Sequence, residues 1–264
     1  MDNRPAAAKI IAIANQKGGV GKTTTAINLG AALAKAGRRV VLVDLDPQGN
    51  ASTGLGLTAD LRRATIYDLL LGEAEATETL HDTSVPSLKL VPATTDLSSA
   101  DVDLLSSEGR SRLLSRAIAG LARLGDNAPD YVLIDCPPAL NILTVNAMVA
   151  AHSVIVPLQS EFFALEGLSQ LMLTLREIRQ TANPELRIEG IVLTMYDRRN
   201  NLSQQVEEDA RQTLGDLVFR TVVPRNVRLS EAPSHAMPVL DYDPTCAGSK
   251  AYADLAQEVL EREG

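Results

Sequence analysis

The chain has 264 residues, of which 45% are hydrophobic and 22% charged, a composition typical of a globular protein with one large α/β domain. A formal net charge of −8 argues against nucleic acid as a partner, but it does not exclude a local basic patch. The two cysteines lack the spacing of a zinc site, no apolar run approaches the ~18 residues of a spanning helix, and the amino terminus lacks an export signal, so we expect a cytoplasmic protein.

Short apolar runs alternate with amphipathic stretches along the chain, which predicts an α/β fold with a doubly wound, mostly parallel sheet flanked by helices. In chain order the predicted elements are strand 10–14, helix 23–36, strands 40–43 and 88–91, helices 98–106 and 110–124, strand 131–134, helix 143–150, strand 154–157, helix 165–181, strand 188–194, and helices 203–214 and 249–262. No repeat or long linker divides the chain. We therefore expect a single domain over residues 1–264, with residues 1–8 as a flexible tail.

A glycine-rich loop, Lys17-Gly-Gly-Val-Gly-Lys-Thr-Thr24, joins the first predicted strand to the first predicted helix. Backbone N–H groups in such a loop and the helix N-terminus that follows it attract anions. Gly18, Gly19 and Gly21 let the backbone curl closely around phosphates because they have no Cβ, and Val20 belongs to the same cradle. The loop predicts a site for ATP, and the alternative is a glycine-rich turn that carries surface lysines.

The polar residues of this loop have separate predicted roles. Lys22 is expected to reach the β- and γ-phosphates, the Thr23 hydroxyl to bind Mg²⁺, and Thr24 to donate to the α-phosphate. The loop departs from the general phosphate-loop pattern at one end. Gln16 stands at the position of the first glycine, and Lys17 follows it as an additional lysine.

Two later strands are predicted to end in aspartates at the carboxyl edge of the sheet, where ligands of open α/β sheets bind. Asp44 and Asp46 follow one apolar run, and strand alternation directs both to the same face. Asp46 is the candidate for orienting or deprotonating the attacking water and Asp44 for the Mg²⁺ shell, the alternative being that both cap the next turn. Asp135 ends the other run and is expected to hold Mg²⁺ directly or through water.

Several motifs together resemble the ParA/Soj chromosome or plasmid partitioning ATPases of the ParA/MinD family, whose phosphate loop is called a deviant Walker A motif. They are N-Q-K-G-G-V-G-K-T-T-T, V-D-L-D-P-Q-G-N, L-I-D-C-P-P and the segments 158–167 and 223–233, spread over nearly the whole chain. The resemblance implies that Lys17 crosses a dimer interface to the nucleotide of the other subunit and takes part in catalysis with Lys22 and Asp46. It also implies that Pro224 and Asn226 line the adenine pocket and that residues 162–167 help to form the dimer.

The resemblance further implies a function. ATP closes a sandwich homodimer, the dimer binds double-stranded DNA without sequence preference and so associates with the nucleoid, and a ParB-type centromere-binding protein stimulates hydrolysis and release. The candidate DNA contacts are Arg198, Arg199, Arg225 and Arg228. Their segments match positions at which relatives carry DNA-contacting arginines, Arg199 most closely. The alternative is that these arginines form an ordinary solvated face.

Four other functions are alternatives to this one. A membrane-bound relative of the MinD type requires a basic amphipathic C-terminal helix, whereas residues 252–264 contain four acidic residues and one arginine. A nitrogenase-reductase type requires two suitably placed cysteines, and Cys136 and Cys246 lie in unrelated segments. A small-molecule kinase or ligase requires a pocket for its acceptor substrate, and this sequence has no motif for one. A non-catalytic, nucleotide-gated adaptor is distinguished by its lack of phosphate release.

Overall fold

The computed structural model describes residues 8–103, 109–121, 125–161 and 164–262. Within these residues, eight strands form one sheet in the order β3-β4-β2-β5-β1-β6-β7-β8, and every neighbouring pair is parallel except β3 and β4. The strands are β1 (Lys9–Ile13), β2 (Val40–Asp44), β3 (His81–Asp82), β4 (Leu88–Val91), β5 (Tyr131–Asp135), β6 (Ser153–Gln159), β7 (Arg187–Tyr196) and β8 (Val218–Pro224).

The described helices cover both faces of this sheet. They are α1 (Lys22–Lys35), α2 (Asn50–Gly54), α3 (Ile66–Leu71), α4 (Ala100–Asp103), α5 (Leu113–Leu121), α6 (Ile142–Ala150), α7 (Ala164–Thr181), α8 (Asn201–Leu214), α9 (Val227–Glu231), α10 (Val239–Tyr242) and α11 (Ala247–Glu261). One apolar cluster joins the sheet to α1 and α11, and a second joins its other face to α5, α6, α7 and α8. No described helix has both the length and the apolar character needed to cross a bilayer.

The predicted fold class is confirmed, with differences at particular elements. The predicted helix 98–106 begins as a 3-10 turn over Thr95–Ser99 and continues as α4, and residues 104–108 lie outside the described residues. The predicted helix 110–124 likewise starts as a 3-10 turn and becomes α5, with residues 122–124 outside the description. The predicted tail of residues 1–8 lies outside it too, except for Ala8, which packs against the core.

The prediction missed two strands at the edges of the sheet. β3 has only two residues, too few for any pattern. In β8 the apolar run is interrupted by an exposed Arg220 and a half-buried Thr221. An edge strand has one unpaired side, so polar residues there cost little, and the continuous apolar run of a central parallel strand is absent.

Strand order brings the ends of β1, β2 and β5 together at one edge. Asp44 at the end of β2 is the register partner of Asp135 at the end of β5, and Ile13 of β1 pairs with Asp135 on the other side. The loop that follows β1 therefore starts beside both carboxylates. The start of the phosphate loop, Asp44 and Asp135 thus meet at this edge.

Candidate active site

The glycine-rich loop connects β1 to α1 and takes a conformation that glycine favours. Gly19 and Gly21 have φ angles of +74° and +88°, in the left-handed region. Gly21 directly precedes α1, whose first three residues are Lys22, Thr23 and Thr24. A Cβ at Gly18 or Gly19 would meet nothing within 4 Å, so that side of the loop is open. The loop thus combines an accessible backbone with a helix N-terminus, an arrangement that binds phosphate groups.

Two side chains outside the loop fix its backbone. Asn15 is buried and donates from Nδ2 to the Pro157 carbonyl at 2.7 Å, while its Oδ1 accepts from the Lys17 N–H at 3.1 Å. The Thr194 hydroxyl donates to the carbonyl of Val20 at 2.9 Å. The loop is therefore held against β6 and β7 before any ligand arrives, which lowers the ordering cost of binding.

Lys22 carries a buried positive charge at the centre of the site. Its side chain turns back over the loop, and Nζ donates to the Lys17 carbonyl at 3.1 Å. Burial lowers the pKa of this ammonium group, while the nearby charges of Asp135 and Asp46 act in the opposite direction. The amine thus contacts the loop and lies close enough to Asp135 and Asp46 for their charges to affect its pKa, and its phosphate contacts stay a prediction.

Asp135 is the least satisfied polar group of the site. Its side chain is fully buried, and neither carboxylate oxygen has a well-formed hydrogen bond among the described residues. Burial and the charge of Asp44 raise the pKa of Asp135, opposed by the Thr23 hydroxyl and by Lys22. Unpaired carboxylate oxygens beside a hydroxyl fit Mg²⁺, which usually takes one or two carboxylates and completes its shell with phosphate oxygens and water.

Asp44 is engaged differently. Its Oδ2 accepts from both the backbone N–H and the hydroxyl of Ser52, at 2.8 and 2.6 Å, and its Oδ1 accepts from the Asp46 N–H at 3.3 Å. Burial raises the pKa of this carboxyl to about 6. These bonds favour the alternative in which Asp44 braces the next turn, and its place in the Mg²⁺ shell stays a prediction.

Asp46 follows β2 in the turn that leads to α2. Its Oδ1 accepts from the Gln48 N–H at 3.0 Å, and its carbonyl accepts from the Gly49 N–H at 2.9 Å. The carboxylate caps this turn, and its negative charge also acts to raise the pKa of Lys22. The turn therefore fixes Asp46 near the charge of Lys22, and its water-positioning role stays a prediction.

Lys17, the additional lysine, pairs its ammonium group with a carboxylate outside its own loop. Nζ lies 3.2 Å from Oε2 of Glu161, and the two side chains are 40% and 48% exposed. Of the predicted dimer segment 162–167, Phe162 and Phe163 lie outside the described residues, and Gly167 lies in α7. The predicted role of Lys17 in another subunit stays a prediction.

The structure brings together three of the four candidate DNA-contacting arginines. Arg198, Arg199 and Arg225 line one surface cavity of about 920 Å³, beside the ends of β7 and β8. The Arg199 side chain is 90% exposed and forms a two-bond pair with Asp197 at 3.1 and 3.0 Å, which lowers the pKa of Asp197 to about 2. This pair is well formed, and its exposure leaves it open to exchange with other anions.

Arg228 stands apart from these three. Its guanidinium pairs with Glu231 at 2.7 Å and with Asp243 at 3.4 Å, and it lies over the Tyr242 ring. Two acidic partners already compensate its charge, so it is a weaker candidate for a phosphate contact.

The two predicted adenine-pocket residues adjoin this region. Pro224 ends β8 opposite Tyr196, and Asn226 precedes α9, where its Oδ1 accepts from the Arg228 N–H at 2.9 Å. Asn226 thus serves as a helix cap. Contact of either residue with a purine stays a prediction.

Sequence reasoning missed several residues that build the site. Asn15 stands directly between the first strand and the loop, so a polar residue at this junction was an available signal. Ser52 and Thr194 gave no such signal, because their partners, Asp44 and Val20, are defined only by the folded geometry.

Comparison with known proteins gives consistent matches over this chain. Residues 8–188 match a family model described as an AAA domain. The chain is 58% identical over 255 residues to the chromosome partitioning protein ParA of Caulobacter vibrioides, covering 97% of this chain and 95% of that protein. It is 50% identical over 252 residues to the sporulation initiation inhibitor protein Soj of Bacillus subtilis, covering 95% and 98%.

A solved structure is similar over the same extent. Cobyrinic acid a,c-diamide synthase from Mycobacterium smegmatis, crystallised with bound ADP and magnesium, superposes with a TM-score of 0.84 at 39% identity, covering 97% of this chain and 95% of that one.

Proposed function

The chain belongs to the ParA/Soj family of chromosome-partitioning ATPases, and we propose that it hydrolyses ATP as part of a DNA-segregation cycle. ATP and Mg²⁺ are its cofactors, in agreement with the ADP and magnesium bound to the M. smegmatis protein. The observation that carries the proposal is the buried, unpaired Asp135 carboxylate beside Thr23 and Lys22.

Each residue of the site has a proposed part in hydrolysis. Backbone N–H groups of residues 18–24 hold the phosphates, and the Lys22 ammonium group balances their charge. Thr23 and Asp135 hold Mg²⁺, which when bound neutralises charge that develops on the phosphate oxygens. Asp46 orients the attacking water or accepts its proton, since its carboxylate lies in the turn next to the loop.

Phosphate release from ATP tests this proposal and separates an ATPase from a non-catalytic adaptor. We expect release above background with the wild-type protein, and loss of ATP binding in Lys22→Ala because the central positive charge is removed. Lys35→Ala is the matched control, since Lys35 belongs to the same helix but forms only an exposed pair with Asp241. Unchanged ATP affinity in Lys22→Ala would contradict the assignment of the site.

We propose further that ATP joins two copies of the chain through Lys17. The support is the family resemblance, together with a half-exposed lysine side chain whose described pair, with Glu161, lies outside its own phosphate loop. Its pair with Glu161 is exposed on both sides and therefore weak, so Lys17 can exchange it for a phosphate of the other subunit.

Lys17→Ala should consequently bind ATP but remain monomeric in light scattering, whereas the wild-type protein dimerises with ATP. Lys35→Ala is again a close control, because Lys35 is 44% exposed and also pairs with one carboxylate. An ATP-dependent dimer in Lys17→Ala would exclude the proposed contact between subunits.

DNA is the proposed target of the dimer, and a ParB-type protein is the proposed stimulator of hydrolysis and release. The cluster of Arg198, Arg199 and Arg225 supports sequence-independent phosphate contacts, which need no base-reading helix. One such cluster is small. Joining two in a dimer raises the effective concentration of the second contact, so ATP can control binding without touching the arginines.

We propose DNA and the nucleoid, rather than an anionic membrane, because of the packing of α11. The apolar face of this helix, including Tyr252, Leu255 and Val259, is buried against the rest of the protein. Its exposed residues are two acids, one lysine, one glutamine and two alanines. A membrane-binding helix would instead have to expose its apolar face beside basic residues.

A further inference from the structure

Arg62 lies in the loop before α3 and donates four hydrogen bonds, two of which reach the segment that carries Asp46. Its Nε donates to the Leu57 carbonyl at 3.0 Å and its Nη1 to the Ala93 carbonyl at 2.8 Å. Its Nη2 donates to the Gly49 carbonyl at 3.2 Å and to the Thr53 hydroxyl at 2.7 Å. A planar guanidinium with several donors holds such a set of acceptors in one geometry, which a lysine ammonium group does not.

The fit between Arg62 and Gly49 depends on glycine. Gly49 has a φ angle of +61°, and a Cβ there would clash with Nη1 of Arg62 and lie 3.0 Å from the Ala93 carbonyl oxygen. The guanidinium therefore packs directly on the backbone of the turn. This close approach makes Arg62 part of the turn rather than a surface cation near it.

The hydrogen bonds continue from Gly49 to Asp46. The Gly49 N–H donates to the Asp46 carbonyl, and the Gln48 N–H donates to the Asp46 carboxylate. On its other side the segment is tied by Ser52, which binds Asp44 and also accepts from the Ala93 N–H at 3.2 Å. The hydrogen bonds of Arg62 and of Ser52 thus both reach the peptide groups of Ala93, two residues after the end of β4.

We propose that Arg62 is a positioning residue for hydrolysis: it holds the Asp46 turn in place through Gly49 and fixes that turn to the end of β4. This inference rests on the proposed ATPase function. Arg62 acts through the turn and makes no described contact with the phosphate loop. Its loss is therefore expected to slow the chemical step and leave nucleotide affinity intact.

The first test compares Arg62→Ala with Arg63→Ala, its exposed neighbour. Single-turnover hydrolysis of ATP should be about 10- to 100-fold slower in Arg62→Ala, because a catalytic group misplaced by about 1 Å costs up to that factor. The dissociation constant of a fluorescent ATP analogue should change by less than about twofold. Arg62→Lys should give an intermediate rate, and Arg63→Ala should resemble the wild-type protein. Equal losses of rate and affinity in Arg62→Ala would overturn the proposal.

A double-variant cycle separates positioning from general stability. Asp46→Ala alone should slow hydrolysis by about 10²–10⁴. If Arg62 acts through Asp46, adding Arg62→Ala to Asp46→Ala should cause little further loss, because the effects of coupled residues do not add. If the double variant instead shows the product of the two single losses in rate, Arg62 acts elsewhere and the proposal is overturned.

Hydrogen exchange gives a readout that does not depend on activity. In Arg62→Ala the amides of residues 48–52 should exchange faster, while those of the phosphate loop should keep their wild-type rates. Uniformly faster exchange would indicate a merely structural role. A wild-type protein that releases no phosphate would overturn the proposed function and the catalytic part of this proposal, and exchange at residues 48–52 would still show whether Arg62 holds the turn.

Discussion

Two regions of the molecule bury carboxylates in opposite ways. At the ends of β2 and β5, Asp135 has no well-formed hydrogen bond among the described residues, and its pKa is raised, first by burial and then by Asp44. Between β8 and α11, Glu258 is similarly buried but accepts from the Arg220 and Thr221 N–H groups at 2.8 and 3.1 Å. Burial there favours a higher pKa as well, yet these bonds and Arg262 outweigh it and lower the pKa of Glu258.

The difference shows that burial alone does not distinguish a structural carboxylate from a functional one. Glu258 has its partners within the protein and joins α11 to the edge strand, so its charge contributes to stability. Asp135 has no comparably well-formed bonds among the described residues, and its charge lowers the stability of the protein unless a cation arrives. Unpaired buried charge of this kind is typical of functional sites.

Asp135→Asn is expected to have the largest effect and to separate activity from stability. Hydrolysis of ATP should fall by at least about 10²-fold, because contributions of a bound metal to phosphate chemistry amount to several kcal/mol. Without Mg²⁺ and nucleotide, the free energy of unfolding should rise, since the amide cannot ionise. Phosphate release and urea unfolding measure the two effects.

The pH dependence of this variant follows from the sign of the shift. A pKa raised above its ordinary value of 3.8 means that the folded protein binds this proton more tightly than the unfolded chain. The contribution of Asp135 to stability is therefore fully present below the pKa of the unfolded chain. It is lost as the pH rises through the pKa of Asp135 in the folded protein. The stability advantage of Asp135→Asn should grow with pH over this range. A variant that is less stable than the wild-type protein at every pH would contradict the comparison.

Glu258→Gln should have the smaller and opposite effect. The free energy of unfolding should fall by about 1–3 kcal/mol, because charged acceptors of two backbone N–H groups are replaced by an amide. ATPase activity should stay within about twofold of the wild-type value, since Glu258 lies away from the phosphate loop.

The sign of the pH dependence is reversed here, because the pKa of Glu258 is lowered from its ordinary value of 4.5. Its stabilising contribution is present above that value and is lost as the pH falls through the folded pKa. Between pH 3 and pH 7 the free energy of unfolding should therefore change less with pH for Glu258→Gln than for the wild-type protein. Identical pH profiles would mean that the pairing of Glu258 contributes nothing.

Local patterns predicted much of the nucleotide site but not the partners of its charges. The phosphate loop, Asp46 and Asp135 follow from short motifs at strand ends, because parallel strands bring their carboxyl ends to one edge. Whether a carboxylate is paired depends on strand order and on distant residues. Thus the Ser52 partner of Asp44, the four acceptors of Arg62 and the two acidic partners of Arg228 could not be read from sequence.

The exposed arginines form a third kind of charged site, in which the ion pair of Arg199 with Asp197 can be replaced by a pair with another anion. Arg199 is held by Asp197 at the surface, so a DNA phosphate competes with one carboxylate in water. Arg199→Ala should therefore keep ATP-dependent dimerisation and lose most DNA binding, regardless of DNA sequence. Arg63→Ala is a suitable control, since this arginine is exposed and lies outside the cavity of Arg198, Arg199 and Arg225.

Co-sedimentation with DNA in the presence of ATP, of ADP and of no nucleotide tests most directly the central claim that ATP controls DNA binding. We predict that the wild-type protein sediments with DNA only with ATP. Its affinity should fall with salt by a log–log slope of about −0.9 for each phosphate neutralised, and the slope should be shallower for Arg199→Ala. Wild-type binding that is indifferent to both ATP and salt would contradict this account.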